Sequence, residues 1–313
     1  MKAIVLKEFG GTENLVIDET PLPEIKDNEV LVRVKAISIN PVDVKTRSGK
    51  GLAGRIKDQH PIILGWDISG TVTETGTNVT AFKRGDEVFG MVNFPGLGNA
   101  YAEYVAAPVT HLALKPSGIS HEEAAGATLA ALTALQGLTQ KAKIKEGFRV
   151  LIHSAAGGVG HFAVQIAKRL GAYVIGTASE ANRDFVLSLG ADEHIDYKAH
   201  RFEDLVKEVD FVLDTIGGDN IDRSFLTMKK GATIISIPSG LNAEITEKAE
   251  ALGLNGFFFL VESNGEDMKE IAGLLEDGSI RSHISKVFSF QEMGEAHLQV
   301  ESGSTRGKVI VTI

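Results

Sequence analysis

The 313-residue chain contains no cysteine. That excludes a disulfide framework, a thiolate nucleophile and every zinc or iron–sulfur centre built on cysteine ligands. No apolar run approaches the roughly 20 residues that a membrane span requires. The opening "MKAIVLKEFG" is too short an apolar stretch for a signal peptide and reads as a strand, so the expected location is the cytosol. Basic residues are in deficit, 32 against 41 acidic, for a net charge of −9. A nucleic-acid surface needs clustered Lys and Arg, so the charge argues against that class, and the surplus fits a soluble protein kept apart by self-repulsion.

What is present follows two grammars. Residues 1 to about 115 are short β-like runs between turns: "KAIVLKEF", "EVLVRVKAISIN", "DISGTVTETG", "DEVFGMV", "YAEYVAAP" and "HLALKP". Pro21, Pro23, Pro41, Pro61 and Pro95 keep helices short there, which predicts a small β domain. From Ser120, "SHEEAAGATLAALTALQGL" reads as one capped helix. Strands "RVLIHS", "YVIGTA", "EHIDY", "DFVLDT", "ATIISI" and "GFFFLV" then alternate with amphipathic helices such as "GHFAVQIAKRLG". Continuous apolar strands separated by helices predict a parallel sheet covered on both faces, an α/β class. The tail "SHISKVFSFQEMGEAHLQVESGSTRGKVIVTI" reads strand, helix, strand, and its closing strand alternates, unlike the buried runs before it. The expected domains are therefore residues 1–118, with 262–313 returning to them, and 119–261.

In "VLIHSAAGGVGHFAVQIAK", Ala155 to Gly160 fits the dinucleotide fingerprint with alanine in place of the first glycine. A tight turn, close approach of backbone to pyrophosphate and a small residue at a helix–strand crossing are the physical demands it meets. A plain tight turn is the competing reading, and the strand and helix on either side favour the cofactor. About 20 residues further on, an NAD site places an acid at the ribose. Thr177-Ala178-Ser179 stands there, with Arg183 shortly after, a set that suits a 2′-phosphate and favours NADPH. Glu180 is the counter-evidence, and Arg183 read alone is equally a solvated helix residue.

The motifs "NPVDVKTRSG", "ILGWDISGTV", "KRGDEVFG", "YAEYV", "LTALQGL", "HSAAGGVGHFAVQIAK", "LGADEHIDY" and "GKVIVTI" together resemble the medium-chain dehydrogenase/reductase superfamily, in its branch of zinc-free quinone oxidoreductases and enone reductases. The resemblance spans the chain and implies a GroES-like β domain plus a Rossmann doubly wound parallel sheet, an active site between them, and a homodimer. It places Ala156, Gly157, Gly158, Val159 and Gly160 on pyrophosphate, and Ser179, Arg183 and Tyr197 on the 2′-phosphate. Thr133, Thr215, Ile216 and Ser239 fall toward the nicotinamide half. Zinc-dependent relatives carry a Cys and a "GHE" motif. Asn40 and "GWD" at 65–67 stand here instead, and the four-cysteine lobe is missing. His60 and Asp67 do not make a zinc site between them, and Trp66 reads as packing with Asp67 as a structural acceptor.

Without zinc, hydride must go to an acceptor that already delocalises charge, a quinone or an α,β-unsaturated carbonyl. The catalytic candidates are Asn40, Lys45 and Asp43, in a loop the resemblance puts beside the nicotinamide, with Lys45 meeting the developing oxyanion and Asp43 holding Lys45. The plainer reading is a turn at Asn40-Pro41 with Asp43 and Lys45 as a surface pair. His153 and His161 flank the fingerprint as structural histidines. "GFFFLV" offers a substrate wall, core or a subunit interface. "GLGNAYAEY" is a loop rather than a second nucleotide site. An NADPH-binding sensor or structural protein with little catalysis is the alternative function.

Overall fold

The computed structural model describes residues 1–238 and 244–313. The chain divides into two compact units, Met1–Leu132 with Val261–Ile313, and Thr133–Leu260.

The first unit opens with β1 (Lys2–Leu6), β2 (Leu15–Glu19), β3 (Glu29–Ile39), β4 (Ile62–Ile63), β5 (Asp67–Thr75), β6 (Glu87–Met91), β7 (Tyr104–Pro108) and β8 (Leu112–Leu114). Strands β2, β1 and β4 form a small sheet. β2 was not legible because it is an open edge whose Val16 and Ile17 remain exposed, so its sequence carries no inward–outward contrast. Antiparallel β3, β5, β6 and β8 form most of a larger sheet, and β7 pairs with β3. Val30, Val32 and Val34 of β3 are buried in its core.

The "NPVDVK" stretch, expected as a loop, is a helix, α1 (Pro41–Arg47). Asn40 is its extended N-cap, Pro41 fits the first helical position, and the Asp43 carboxylate accepts the Asn40 N–H at 2.8 Å. Proline at N1 and an acid at N3 are helix-start signals, and here they outweigh the turn preference of Asn-Pro. A short α2 (Ala53–Ile56) follows. The single helix expected from Ser120 is broken. Ser120 caps α3 (His121–Gly126) by accepting from Glu123 N at 3.1 Å, but Ala127 leaves helical geometry. α3 packs on β3 and β5, with Ala124, Ala125 and Gly126 buried, so the first unit extends past residue 118 to Leu132.

Helix α4 (Leu129–Leu135) leads through a π-helical turn, 136–141, into the second unit. There β9 (Arg149–Ile152), α5 (Gly158–Arg169), β10 (Tyr173–Ala178), α6 (Arg183–Ser188), β11 (Glu193–Asp196), α7 (Phe202–Leu205), β12 (Val209–Asp214), α8 (Asp219–Phe225), β13 (Met228–Ser236), α9 (Ile245–Ala251) and β14 (Asn255–Phe258) alternate. All six strands run parallel in the order β11-β10-β9-β12-β13-β14. This is the doubly wound Rossmann order, and its direction reverses at β9, beside the fingerprint. Val150, Leu151 and Ile152 are fully buried, as a strand covered on both faces requires.

The chain returns through α10 (Gly265–Glu276), β15 (Ile284–Ser289), α11 (Met293–Glu301) and β16 (Lys308–Thr312), which completes the larger sheet as β15-β16-β3-β5-β6-β8. The return was expected for the wrong reason. β16 does not alternate in burial, because Lys308 to Val311 are all buried. Val309 and Val311 join the main core, while Ile310 packs with Ala36 and with Ala125 of α3. α3 therefore covers the face that alternation would have left wet.

Candidate active site and cofactor site

In the second unit, β9 ends at Ile152 and the chain turns through His153 and Ser154, the latter with a left-handed φ of 51°. Gly157 N donates to Ser154 O at 2.8 Å, closing the turn, and Gly157 becomes the N-cap of α5 with no side-chain cap bond. First-turn amides lack intrahelical acceptors, so Gly158, Val159 and Gly160 begin α5 with N–H groups suited to an anion. Ala156 is buried in the turn, while Gly157, Gly158 and Val159 are half-buried. Gly160 meets the strand: a Cβ there would lie 2.1 Å from Ser154 O. The tight turn and the close helix–turn packing thus fall on different glycines, Gly157 and Gly160.

The adenosine-end candidates come together. β10 ends at Ala178 and β11 at Asp196, which are register partners, and Tyr197 N donates to Ala178 O at 3.3 Å. Ser179, Arg183 and Tyr197 therefore share one end of the sheet, with Arg183 and Tyr197 exposed. Glu180 is aimed at Arg183 rather than held apart, its carboxylate 3.8 Å from the guanidinium.

The turn after β12 is knit by Asp214, whose buried carboxylate accepts from the N–H groups of Ile216 and Gly217, from Asn220 Nδ2 at 2.9 Å and from Ser236 Oγ at 2.7 Å. Thr215 Oγ1 donates inward to His153 O at 3.0 Å, whereas Ile216 is exposed. Thr133 is buried in α4. Ser239 lies outside the described residues. The two flanking histidines are structural. His153 is buried between Thr177 Oγ1 and Ser224 Oγ, at 3.1 and 2.9 Å, and burial holds it neutral, near pKa 4. Ser224 gives its own proton to Asn220 O at 2.6 Å, which makes His153 Nε2 the donor toward Ser224. His161 Nδ1 lies 3.0 Å from Gly157 O and is likewise buried.

In the first unit, the start of α1 is anchored from below. Asn40 is 1% exposed. Its Nδ2 donates to Asp67 Oδ2 at 2.7 Å, and its Oδ1 accepts a short bond from the Lys308 ammonium, which also reaches Ile39 O at 3.3 Å. Asp67 Oδ1 accepts the Leu129 N–H at 3.1 Å, the structural acceptor role expected for it. Asp43 is fully buried. Burial first, then the neighbouring Asp67 charge, push its carboxyl up to about 7, against the Asn40 N–H, the Tyr101 hydroxyl and Lys308. Both sequence readings of Asp43 are corrected: its carboxylate is buried and bonded to the helix cap, not to Lys45. Asn40 likewise spends its amide on internal partners.

Lys308, Tyr101 and His297 were missed. Tyr101 OH lies 2.9 Å from His297 Nε2, and burial keeps that histidine neutral, near pKa 3. The only available signal was a lone lysine opening an apolar strand in "GKVIVTI".

The face of α1 away from this anchor carries Pro41, Val42 and Lys45. Lys45 has no ion-pair partner among the described residues, and its pKa is lowered by partial burial and then by Lys50. Among the described residues no three His, Asp or Glu side chains converge as metal ligands. Asn40 and Asp67 do not fit a zinc ion either, since each is bonded to the other and Lys308 supplies the cation between oxygens. Trp66 is packing, donating Nε1 to Gly96 O at 2.7 Å and meeting Phe94 edge-on.

A GroES-like β unit joined to a Rossmann unit with a glycine turn defines a nicotinamide-dependent oxidoreductase. Family models agree: an alcohol dehydrogenase GroES-like domain matches residues 26–117, and a zinc-binding dehydrogenase matches 189–311. The NADPH-dependent alkenal/one oxidoreductase, chloroplastic, of Arabidopsis thaliana is 34% identical, covering 99% of this chain and 79% of the relative. The 2-methylene-furan-3-one reductase of Solanum lycopersicum is 33% identical over the same shares, 99% and 79%. The structure of the quinone oxidoreductase from Coxiella burnetii superposes with a TM-score of 0.95 at 38% identity, covering 100% of this chain and 99% of that one. The chain belongs to the medium-chain dehydrogenase/reductase superfamily, among its quinone oxidoreductases and enone reductases, and is an NAD(P)H-dependent oxidoreductase. No helix among the described residues is long and apolar enough to cross a membrane.

Proposed function

We propose that the enzyme uses NADPH to reduce quinones or α,β-unsaturated carbonyls without a metal ion. The observation that supports this reading is the start of α1: its polar inner face is closed by Lys308 at Asn40, the position of the metal-ligand Cys in zinc-dependent relatives, and its accessible face offers Lys45, an ammonium without an ion-pair partner among the described residues. When bound, NADPH supplies the hydride. The amides of Gly158, Val159 and Gly160, with Ala156 and Gly157 in the turn, hold its pyrophosphate. Ser179, Arg183 and Tyr197 take the 2′-phosphate, and Thr133, Thr215, Ile216 and Ser239 line the nicotinamide half. Lys45 stabilises the oxyanion that develops on the acceptor, and its lowered pKa makes it a readier proton donor than an ordinary lysine. Asn40 and Asp43 act by fixing α1. A homodimer working in the cytosol belongs to the same reading.

The relatives named as quinone oxidoreductase and as NADPH-dependent alkenal/one oxidoreductase support both acceptor classes. The test is NADPH oxidation against a panel of quinones, 2-alkenals, enones and saturated aldehydes, with and without exhaustive chelation. Turnover of conjugated acceptors that survives chelation is expected. Activity confined to saturated aldehydes, or abolished by chelation, would overturn the reading.

A further inference from the structure

Asn40 poses an orientation problem. The two ends of a carboxamide have nearly the same shape, and only their partners decide which end points where. Here an anion, Asp67, faces Nδ2, and a cation, Lys308, faces Oδ1. The same residue caps α1, and its own N–H is held by Asp43. Asp67 of β5 and Lys308 of β16 meet at this amide, Asp43 of α1 holds the same residue's N–H, and Ile39 of β3 and Leu129 of α4 are bonded in turn to Lys308 and Asp67. Two buried carboxylates converge on this point, and the Lys308 ammonium balances them as a bound cation otherwise would.

We infer that Lys308 is a positioning residue for the reduction: through Asn40 it fixes the start of α1, and with it the placement of Lys45 on the accessible face of that helix. Removing the ammonium leaves Asn40 Oδ1 without its donor and lets the amide turn. The N-cap then loosens one helical turn below Lys45. Lys308 itself touches neither substrate nor cofactor. Its effect on turnover rests on the function proposed above, whereas its effect on α1 does not.

The experiment compares Lys308→Met with the double variant Lys308→Met/Asp67→Asn, which removes one anion along with the cation. Four quantities are read: amide hydrogen exchange over residues 41–48, Tm, the Kd for NADPH, and kcat with a 2-alkenal. Lys308→Met should speed exchange in α1 at least tenfold and lower kcat at least tenfold, with the NADPH Kd within twofold of wild type. The double variant should regain at least half of the lost Tm but not the lost kcat, because Oδ1 still lacks its donor. Recovery of kcat in step with Tm would reduce Lys308 to charge balance and overturn the inference. So would unchanged exchange in α1. If the wild type turns over no member of the acceptor panel, the proposed function fails by itself, and exchange in α1 alone decides the role of Lys308.

Discussion

Gly160 of α5 lies against the carbonyl of Ser154 so closely that a Cβ would sit 2.1 Å from that oxygen and 2.8 Å from Ala155 Cα. Both obstacles are backbone and neither can swing aside. Gly160→Ala should therefore destabilise the second unit at or beyond the upper end of the about 1–3 kcal/mol typical of overpacking. Gly158 is different: it is the half-buried first residue of α5. Gly158→Val should stay folded and lose cofactor, by placing a side chain where backbone approaches pyrophosphate. Thermal melts with NADPH titrations separate the two outcomes, and normal NADPH affinity in Gly158→Val would make the turn a plain turn.

In the proposed function, Arg183 sets the cofactor preference. It is exposed and pairs loosely with Glu180 at 3.8 Å, a contact a 2′-phosphate can replace. Arg183→Ala should weaken NADPH binding by about 1.5–3 kcal/mol and leave NADH nearly unchanged, as a lost charge-assisted bond does. Glu180→Gln should act in the opposite sense, tightening NADPH. Equal losses for both cofactors in Arg183→Ala would remove the 2′-phosphate from its role.

Asp43 predicts a pH dependence. Its folded pKa is raised to about 7 from an ordinary 3.8, so the folded state binds this proton more tightly than the unfolded state. The contribution of Asp43 to stability is therefore best below about 4 and declines as pH rises toward 7, becoming constant above it. Asp67 also carries a raised pKa, and Lys308, Tyr101 and the Asn40 N–H face Asp43 from the other elements. Asp43→Asn keeps an acceptor for the Asn40 N–H and cannot ionise. Tm measured from pH 4 to 8 should fall less steeply in the variant. Parallel curves would mean that Asp43 does not titrate in this window.

The parallel sheet was the most legible part of the molecule, because a strand buried on both faces writes an unbroken apolar run, as Val150 to Ile152 do. The fingerprint was legible because backbone geometry dictates its residue types. The anchor beneath α1 was not. Asn40, Asp43, Asp67, Tyr101, His297 and Lys308 are polar residues scattered over nearly the whole chain, and their burial depends on contacts up to 269 residues apart. Nothing local distinguishes a buried Asp43 from a surface one. The start of α1 was legible in principle, through Pro41 and Asp43, but the turn preference of Asn-Pro obscured it.

Glu203 offers a test of the second unit alone. It is 2% exposed, bonded to Arg223 at 2.8 and 2.9 Å and to Arg201 at 2.9 Å, and these partners hold its pKa at about 2. A depressed carboxyl pKa contributes stability above the unfolded value of 4.5 and loses it as pH falls toward 2. Glu203→Gln should lower Tm at pH 7 and approach wild type at the acid end of that window. A difference independent of pH would assign the effect to packing against Phe202 and Arg223 rather than to charge.

Lys45 carries the chemical step of the proposed function. It stands on the open face of α1, unpaired among the described residues, with its pKa lowered by burial and by Lys50. An ammonium that meets an enolate oxygen interacts more strongly as charge builds, so its loss falls on the transition state. Lys45→Met should lower kcat and kcat/KM together for enones and 2-alkenals, and leave the NADPH Kd unchanged. Quinones spread the incoming charge over their own conjugated ring and should lose less. The pH profile gives a second readout. A lysine with a depressed pKa is protonated at low pH and deprotonates earlier than usual, so enone kcat should decline on an alkaline limb that is missing in Lys45→Met. Wild-type rates for enones in that variant would return Lys45 to the surface and leave proximity and solvent to supply the proton.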